Sequence, residues 1–258
     1  MKGSPEAILS HFERSLEAGV LQEPGWTRFR QDYKAYFSKY PASLEAREFG
    51  TVFFQPCLDE STSTTELDKY YFYQNTWASR KIFRYKPSSV VDIGSTTLYA
   101  GIISQFVPTT FVDIRPIHVN LPGLTILNGS ILDLPFQEGS QGFVTSLCVL
   151  EHIGLGRYGD PILPDGTRRA CAEIDRILKV GAQLIVSTNI GPPCIVFNAH
   201  RIFSREQFLS YFPGYSVLDE VYLAPEPSGE VVLRSLQPGC YVVYVVHLLK
   251  TRASSHKH

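Results

Sequence analysis

Two short apolar runs constrain the fold of this chain more than any other feature. Val90-Val-Asp-Ile-Gly94 ends on a carboxylate and then a glycine, and Thr110-Phe-Val-Asp113 ends on a second carboxylate 21 positions after the first (113 − 92). Apolar runs this short, bounded by turn residues, read as buried strands. In a nucleotide-binding βαβ unit, the turn after the first strand admits the ligand and the acid after the second receives its ribose hydroxyls. The pair points to a bound adenosyl group.

Downstream the same rhythm continues. A third apolar piece, Leu124 to Leu127, leads into Asn128-Gly-Ser-Ile-Leu-Asp-Leu-Pro-Phe136, and a fourth, Gly142 to Leu150, runs into Glu151-His152. A glycine- and proline-rich loop follows, Gly154 to Gly166. Ala170, Ile174, Ile177 and Leu178 then mark the buried stripe of a helix ending at Lys179-Val-Gly181, where glycine can take the left-handed cap. Gln183 to Ser187 reads as a fifth strand. Alternating strands and helices from 90 to 190 predict a mostly parallel, doubly wound α/β sheet. Beyond it, Ser204 caps a helix over 205–212, and Tyr215 to Leu223 and Tyr241 to Leu249 read as closing strands.

Ahead of the first strand, helical spacing at Ile8, Phe12 and Leu16, and again at Phe29, Tyr33 and Phe37, predicts two helices. Phe53 to Cys57 reads as a short extended piece, and Asp59 to Glu66 as a polar loop. An aromatic-rich segment, Tyr70 to Phe83, has a helical face at Tyr73, Trp77 and Ile82. That face either packs on the sheet or lets Tyr73 or Trp77 cover a planar ligand ring. This organisation divides the chain into an N-terminal helical extension and polar loop (1–69), the α/β domain (70–250) and a polar tail (251–258).

A hydrophobic content of 44% is enough to bury a core in a chain of 258 residues. With 24 basic and 25 acidic residues, overall charge gives no footprint for nucleic acid or an anionic membrane, which leaves room only for a local basic patch. No apolar run approaches the roughly 20 residues needed to span a bilayer, and the N-terminus has no apolar stretch of signal-peptide length. A soluble, cytoplasmic protein is expected. Cys57, Cys148, Cys171, Cys194 and Cys240 are odd in number, scattered and without a Cys-x-x-Cys pair. That pattern argues against a disulfide framework or a zinc site and for reduced, mostly buried thiols.

Val90-Val-Asp-Ile-Gly94, Leu132-Asp-Leu-Pro-Phe136, Val149-Leu-Glu-His-Ile153 and Arg176-Ile-Leu-Lys-Val-Gly181 together resemble, in order and spacing, the class I S-adenosylmethionine-dependent methyltransferases. The resemblance covers roughly residues 75 to 250. More narrowly, Gly154-Leu-Gly-Arg-Tyr-Gly-Asp-Pro161 with Phe197-Asn-Ala-His-Arg201 resembles a bacterial family catalogued as domain of unknown function 268, whose members carry a methyltransferase assignment without an established substrate. The resemblance implies a seven-stranded Rossmann-like methyltransferase fold with S-adenosylmethionine as cofactor. Gly94 and Ser95 would turn under its methionine part, with Asp92 holding the amino end directly or through water. Asp113, followed by Ile114, would accept both ribose hydroxyls, and Ser130-Ile131 would meet the adenine edge. The family's turn carries two further glycines where this chain has Thr96 and Leu98, and Ser130 stands where an acid is usual.

Methyl transfer to a hydroxyl needs an aligned nucleophile and a base. His152 stands at the end of the fourth strand and His200 after the fifth, and either could take the proton. Alternatively, Glu151-His152 only orients the following loop, and His200 is a surface histidine. Glu151, Arg157, Tyr158, Asp160, Asn198 and Arg201 are candidates for holding the acceptor, with Arg157 suited to a phosphate or carboxylate. Asp160 before Pro161 and Asp165 before Gly166 also read as ordinary turn residues. A metal held by Asp160, Asp165 and a histidine has little support from spacing, and none is assigned. The leading expectation is an O-methyltransferase for a small, sugar-like acceptor, with cell-surface polysaccharide biosynthesis as the context implied by family association. Against it stand a non-catalytic binding or assembly module of the same fold and, less favoured, a nicotinamide-dependent oxidoreductase. Oligomeric state is not legible.

Overall fold

A computed structural model of the protein describes residues 10–11, 13–15, 24–39, 55–115, 117–223 and 236–252. The chain divides into two compact units, residues 1–66 and 67–258. In the first, α1 (Pro24–Lys39) carries Phe29, Tyr33 and Phe37 as one aromatic row, with the Tyr33 and Phe37 ring centroids 4.4 Å apart. Residues 10–11 and 13–15, within the helix expected around Ile8, Phe12 and Leu16, are helical, while those three residues themselves, the start of the extended piece at Phe53, and residues 253–258 of the tail lie outside the described residues.

The second unit starts with α2 (Lys69–Tyr85), whose N-cap Asp68 accepts the backbone N–H of Tyr71. β1 (Val90–Ile93), α3 (Thr97–Ile103), β2 (Thr109–Asp113), β3 (Leu124–Asn128), β4 (Gln141–Leu147), α4 (Gly166–Ile177) and β5 (Leu178–Ile190) follow. A short hairpin, β6 (Cys194–Val196) with β7 (His200–Ile202), precedes α5 (Arg205–Leu209), β8 (Tyr215–Leu223) and β9 (Val242–Lys250). Seven strands form one sheet in the order β3-β2-β1-β4-β5-β9-β8. Pairing is parallel from β3 to β5 and antiparallel around β9.

Strand alternation explains why both faces are covered. Val91, Ile93, Val144, Leu184 and Val186 point to one face and meet Ala170, Ile174 and Phe208 of α4 and α5. Val90, Phe143, Leu147 and Ile185 point to the other and meet Trp77, Ile82, Tyr99 and Ile103 of α2 and α3. Doubly covered strands read as continuous apolar runs, which is how β1 and β4 announce themselves in the sequence.

Several boundaries differ from expectation. β4 stops at Leu147, not Leu150, because Cys148 turns into the left-handed region at φ 54. α4 ends at Ile177, and β5 begins at once. Gly181, at φ 84, serves an excursion inside that strand, where pairing jumps from Gln141–Leu178 to Phe143–Gln183, and does not cap the helix. α5 stops at Leu209, short of Phe212. All five cysteines are free, but only Cys171 is buried, against the expectation of mostly buried thiols.

Candidate functional site

A cleft of about 540 Å³ opens at the carboxyl ends of the parallel strands. It lies where strand order reverses between β1 and β4, the place open α/β sheets reserve for ligands. Its walls come from the turn after β1, the ends of β2 and β3, and the segment running from Leu147 to Asp160.

Gly94 makes the first turn at φ 68, and a Cβ there would meet Val149 at 3.2 Å, so both its backbone and its neighbour favour glycine. Ser95 lines the cleft; its Oγ donates to Asp92 Oδ2 at 2.7 Å and accepts the Leu147 N–H at 3.0 Å. Thr145 Oγ1 donates to the same Asp92 oxygen at 2.5 Å. The network ties the carboxyl ends of β1 and β4 together across the switch point. Asp92, expected to hold the ligand directly or through water, is wholly buried beneath it and outside the cleft wall, and its contact with the wall is the hydrogen bond from Ser95. Burial pushes its carboxyl up to about 7. Thr96 accepts the Tyr99 N–H as the N-cap of α3, which accounts for a threonine where glycine is usual: its side chain is turned onto the helix. Leu98, the other departure, is 72% exposed.

Asp113 and Ile114 line the cleft as expected. The Asp113 carboxylate is engaged by Arg115, which donates its backbone N–H at 2.7 Å and its Nε at 3.3 Å to Oδ1. The Arg115 guanidinium also lies 4.6 Å from the ring centre of Tyr158, a strap across the cleft from β2 to the glycine-rich loop. Ser130 and Ile131 line the β3 side, with Ser130 Oγ accepting the Leu132 N–H at 3.2 Å. The aromatic residue that α2 supplies is Tyr71, not Tyr73. Two positions turn a helix by about 200°, so Tyr73 packs beside Trp77 in the core while Tyr71 meets the cleft.

His152 is the histidine on the cleft wall. Its Nδ1 lies 2.6 Å from the Ala199 carbonyl oxygen, which can only accept; Nδ1 therefore carries the proton, and Nε2 is left as the acceptor of the neutral ring. Burial, with Arg157 nearby, lowers its pKa to about 4. His200 does not reach the cleft; its ring packs against Tyr241 at 5.0 Å. Glu151 is 1% exposed, is also absent from the wall and is pushed by burial up to about 7, so it cannot hold an acceptor in the cleft. Its Oε1 stands 3.9 Å from His152 Nε2.

Of the loop candidates, Tyr158 and Asp160 line the cleft. Asp160 is spent on the loop itself: Oδ2 accepts Gly154 N–H at 2.6 Å, and Oδ1 accepts Tyr158 N–H at 3.2 Å. The loop closes tightly on itself, since a Cβ at Gly154 would lie 2.1 Å from the Leu163 carbonyl. Arg157 is exposed, donates to Ala199 O at 3.1 Å and stacks on Tyr158. Arg201 is only 7% exposed and donates to the carbonyls of Ile153, Leu163 and Pro164 and to Thr167, which makes it the internal brace of the loop and no acceptor ligand. Asn198 sits exposed in the β6–β7 turn, away from the cleft. Among the described residues no group of three His, Cys, Asp or Glu side chains could hold a metal ion.

The sequence reading missed Tyr71, Thr97 and Arg115 as cleft residues. A signal existed for Arg115: it follows the ribose-type acid by two positions, the spacing at which an aspartate accepts from its own downstream backbone.

Residues 135–237 match a family described as "Caenorhabditis protein of unknown function, DUF268". That description is of a Caenorhabditis family and not of the bacterial one the motif resemblance implied. No curated protein matches the sequence. The YcgJ protein of Bacillus subtilis superposes with a TM-score of 0.52 at 15% identity, over 70% of this chain and 99% of that one. Geranyl diphosphate C-methyltransferase from Streptomyces coelicolor, solved with Mg²⁺, geranyl diphosphate and S-adenosyl-L-homocysteine, superposes with a TM-score of 0.51 at 14% identity, over 73% of this chain and 85% of that one. The chain has the Rossmann-like methyltransferase fold.

Proposed function

We propose that this cleft binds S-adenosylmethionine and that the protein transfers its methyl group to a hydroxyl of a small or sugar-like acceptor. The observation that carries the reading is the convergence on one cleft of a left-handed glycine turn, the acid ending β2, the Ser130-Ile131 edge and a neutral histidine with a free Nε2. The residues fit the cofactor. Asp113 offers two carboxylate oxygens for vicinal hydroxyls, Gly94 leaves room that a side chain would take, and Asp92 Oδ1 is a buried oxygen without a partner beneath the turn. When bound, the cofactor supplies an electrophilic methyl group on a sulfonium. This chain's own part is to align the acceptor hydroxyl and receive its proton at His152 Nε2. The Ala199 carbonyl holds the ring in the one tautomer that can do so. Five free cysteines suit a reducing, cytoplasmic compartment, and polysaccharide biosynthesis is the context we assign to a sugar-like acceptor.

The test is calorimetric titration of cofactor-free protein with S-adenosylmethionine and S-adenosylhomocysteine. Saturable micromolar binding that Asp113→Ala abolishes is expected; absence of binding by both compounds refutes the reading. A second reading, a non-catalytic module of the same fold, is favoured by one observation: Asp113 already has a cation as its partner. On that reading Asp113→Ala leaves the biological activity of the protein unchanged.

A further inference from the structure

α2 and α3 lie side by side on one face of the sheet and point the same way. Asn75 donates to Thr96 near their beginnings, and the Phe83 and Phe106 rings meet at 6.2 Å near their ends. Their buried faces supply Trp77, Ala78, Ile82, Tyr99 and Ile103 to the core. Their outward faces also carry large apolar side chains, which amphipathic helices on a globular surface ordinarily avoid. Leu98, Ile102 and Phe106, spaced four apart, form one exposed row at 72%, 53% and 44%, and Phe83 is 66% exposed beside its end. Scattered exposed apolar residues need no explanation, but a contiguous row across two helices marks an interaction surface.

Charge identifies what it meets. Lys69, Arg80, Arg84 and Lys86 are all exposed along α2 and its cap. From residue 69 to 112 the sole acid is Asp92, and it is wholly buried. Two acids that contact α2 have other work: Asp68 caps it, and Asp219 pairs with Lys81. By helical spacing Arg80 lies one turn from Phe83, so the cations frame the apolar row. An apolar stripe rimmed by cations, in a chain whose overall charge is only −1, is the pattern by which a protein surface lies in the interface of an anionic bilayer.

We propose that the α2–α3 face docks on an anionic membrane surface, with Phe83, Leu98, Ile102 and Phe106 entering the headgroup boundary and Arg80, Arg84 and Lys86 meeting lipid phosphates and carboxylates. Among the described residues no helix is long and apolar enough to cross a membrane, so this contact is peripheral.

Sedimentation with phosphatidylcholine vesicles, with and without about one-third phosphatidylserine, tests the proposal on the full chain. Binding is expected to rise at least tenfold with the anionic lipid and to fall steeply between 0.05 and 0.5 M salt, since each surface cation contributes about fivefold at low salt and screening removes it. Arg80→Glu with Arg84→Glu should lower anionic-vesicle binding at least tenfold. Phe83→Ser with Ile102→Ser should lower binding comparably. All four side chains are exposed, so the far-ultraviolet circular dichroism and melting temperature should stay within the wild-type range, and the salt series on unaltered protein needs no variant. Equal binding to neutral and anionic vesicles, or none to either, overturns the proposal. So does a dimer in light scattering that the phenylalanine–isoleucine variant dissolves, which would assign the face to a second copy of the chain.

Discussion

The buried carboxylate beneath the glycine turn gives the sharpest quantitative test of this structure. Asp92 has no exposed surface, and burial raises its pKa from 3.8 to about 7. Between those two values the unfolded chain releases the proton and the folded chain keeps it, so stability falls as pH rises through the window and the loss is complete above about pH 7. A shift of about three units corresponds to roughly 4 kcal/mol, and about 3 kcal/mol of it should develop between pH 5 and pH 8. Asp92→Asn removes the titration while preserving the geometry. Ser95 and Thr145 both donate to Oδ2, a role an amide oxygen fills equally, and the amide nitrogen takes the place of Oδ1, which has no partner. Relative to wild type, the variant should therefore gain stability as pH rises, by roughly 5–10 °C in melting temperature between pH 5 and pH 8 for a domain of this size. Glu151, also raised to about 7, titrates alike in both proteins and cancels from the comparison. Thermal melts of both proteins at half-unit pH steps provide the measurement. A melting-temperature gap that is the same at both ends of the range refutes the reasoning.

Three further outcomes follow from the same geometry. Arg115→Ala frees Asp113 from an exposed ion pair, a class that contributes up to about 1 kcal/mol, so S-adenosylhomocysteine should bind up to about fivefold tighter by calorimetry; weaker binding would show that Arg115 grips the ligand itself. His152→Ala should lower kcat by roughly 10² to 10⁴ while the S-adenosylhomocysteine Kd stays within about twofold. Because His152 is neutral down to about pH 4, a wild-type inflection near pH 6.5 that disappears in the variant would sink its assignment as a neutral acceptor. Arg201→Ala leaves the buried Ile153 carbonyl without its donor and removes a partner from those of Leu163 and Pro164, and should cost roughly 1–3 kcal/mol in urea denaturation, with faster proteolysis at 154–165; a change below about 0.5 kcal/mol would contradict its bracing role.

What the sequence reveals of this fold depends on whether one signal or two act at a position. β1, β2, β3 and β8 are readable because each is a compact apolar or alternating run closed by a turn residue or an acid. The end of β4 is not readable: Cys148-Val-Leu150 continues the apolar run, yet the chain has already turned at Cys148, whose N–H meets Ser187 Oγ at 2.8 Å and whose Sγ meets Gln74 at 3.2 Å. Those partners are 39 and 74 positions away, beyond the reach of local pattern. The excursion around Gly181 hides for a related reason, since a left-handed glycine after a helical stripe has the same local signature whether it caps the helix or bulges the next strand.

The site separates along the same line. Gly94, Ser95, Asp113, Ile114, Ser130 and Ile131 reach the cleft because their places are set by the strand ends they follow, and strand ends are legible. Tyr71 could not be chosen over Tyr73, because Tyr70 to Tyr73 are all aromatic and period alone does not say which side of α2 is buried first. Arg201 shows the limit from the other direction. In sequence it is a cation beside a histidine in a polar motif, which reads as a ligand for an acceptor. In space the β6–β7 hairpin tucks it under the glycine-rich loop, where several carbonyls turn inward and need a donor. Those carbonyls lie 37 to 48 positions away in sequence, in a loop rich in left-handed glycines that turns backbone acceptors inward. The arginine and the glycines are thus one device. The loop that carries Tyr158 to the cleft is held twice over: Asp160 satisfies its inward N–H groups from within, and a cation from another element supplies donors to its carbonyls.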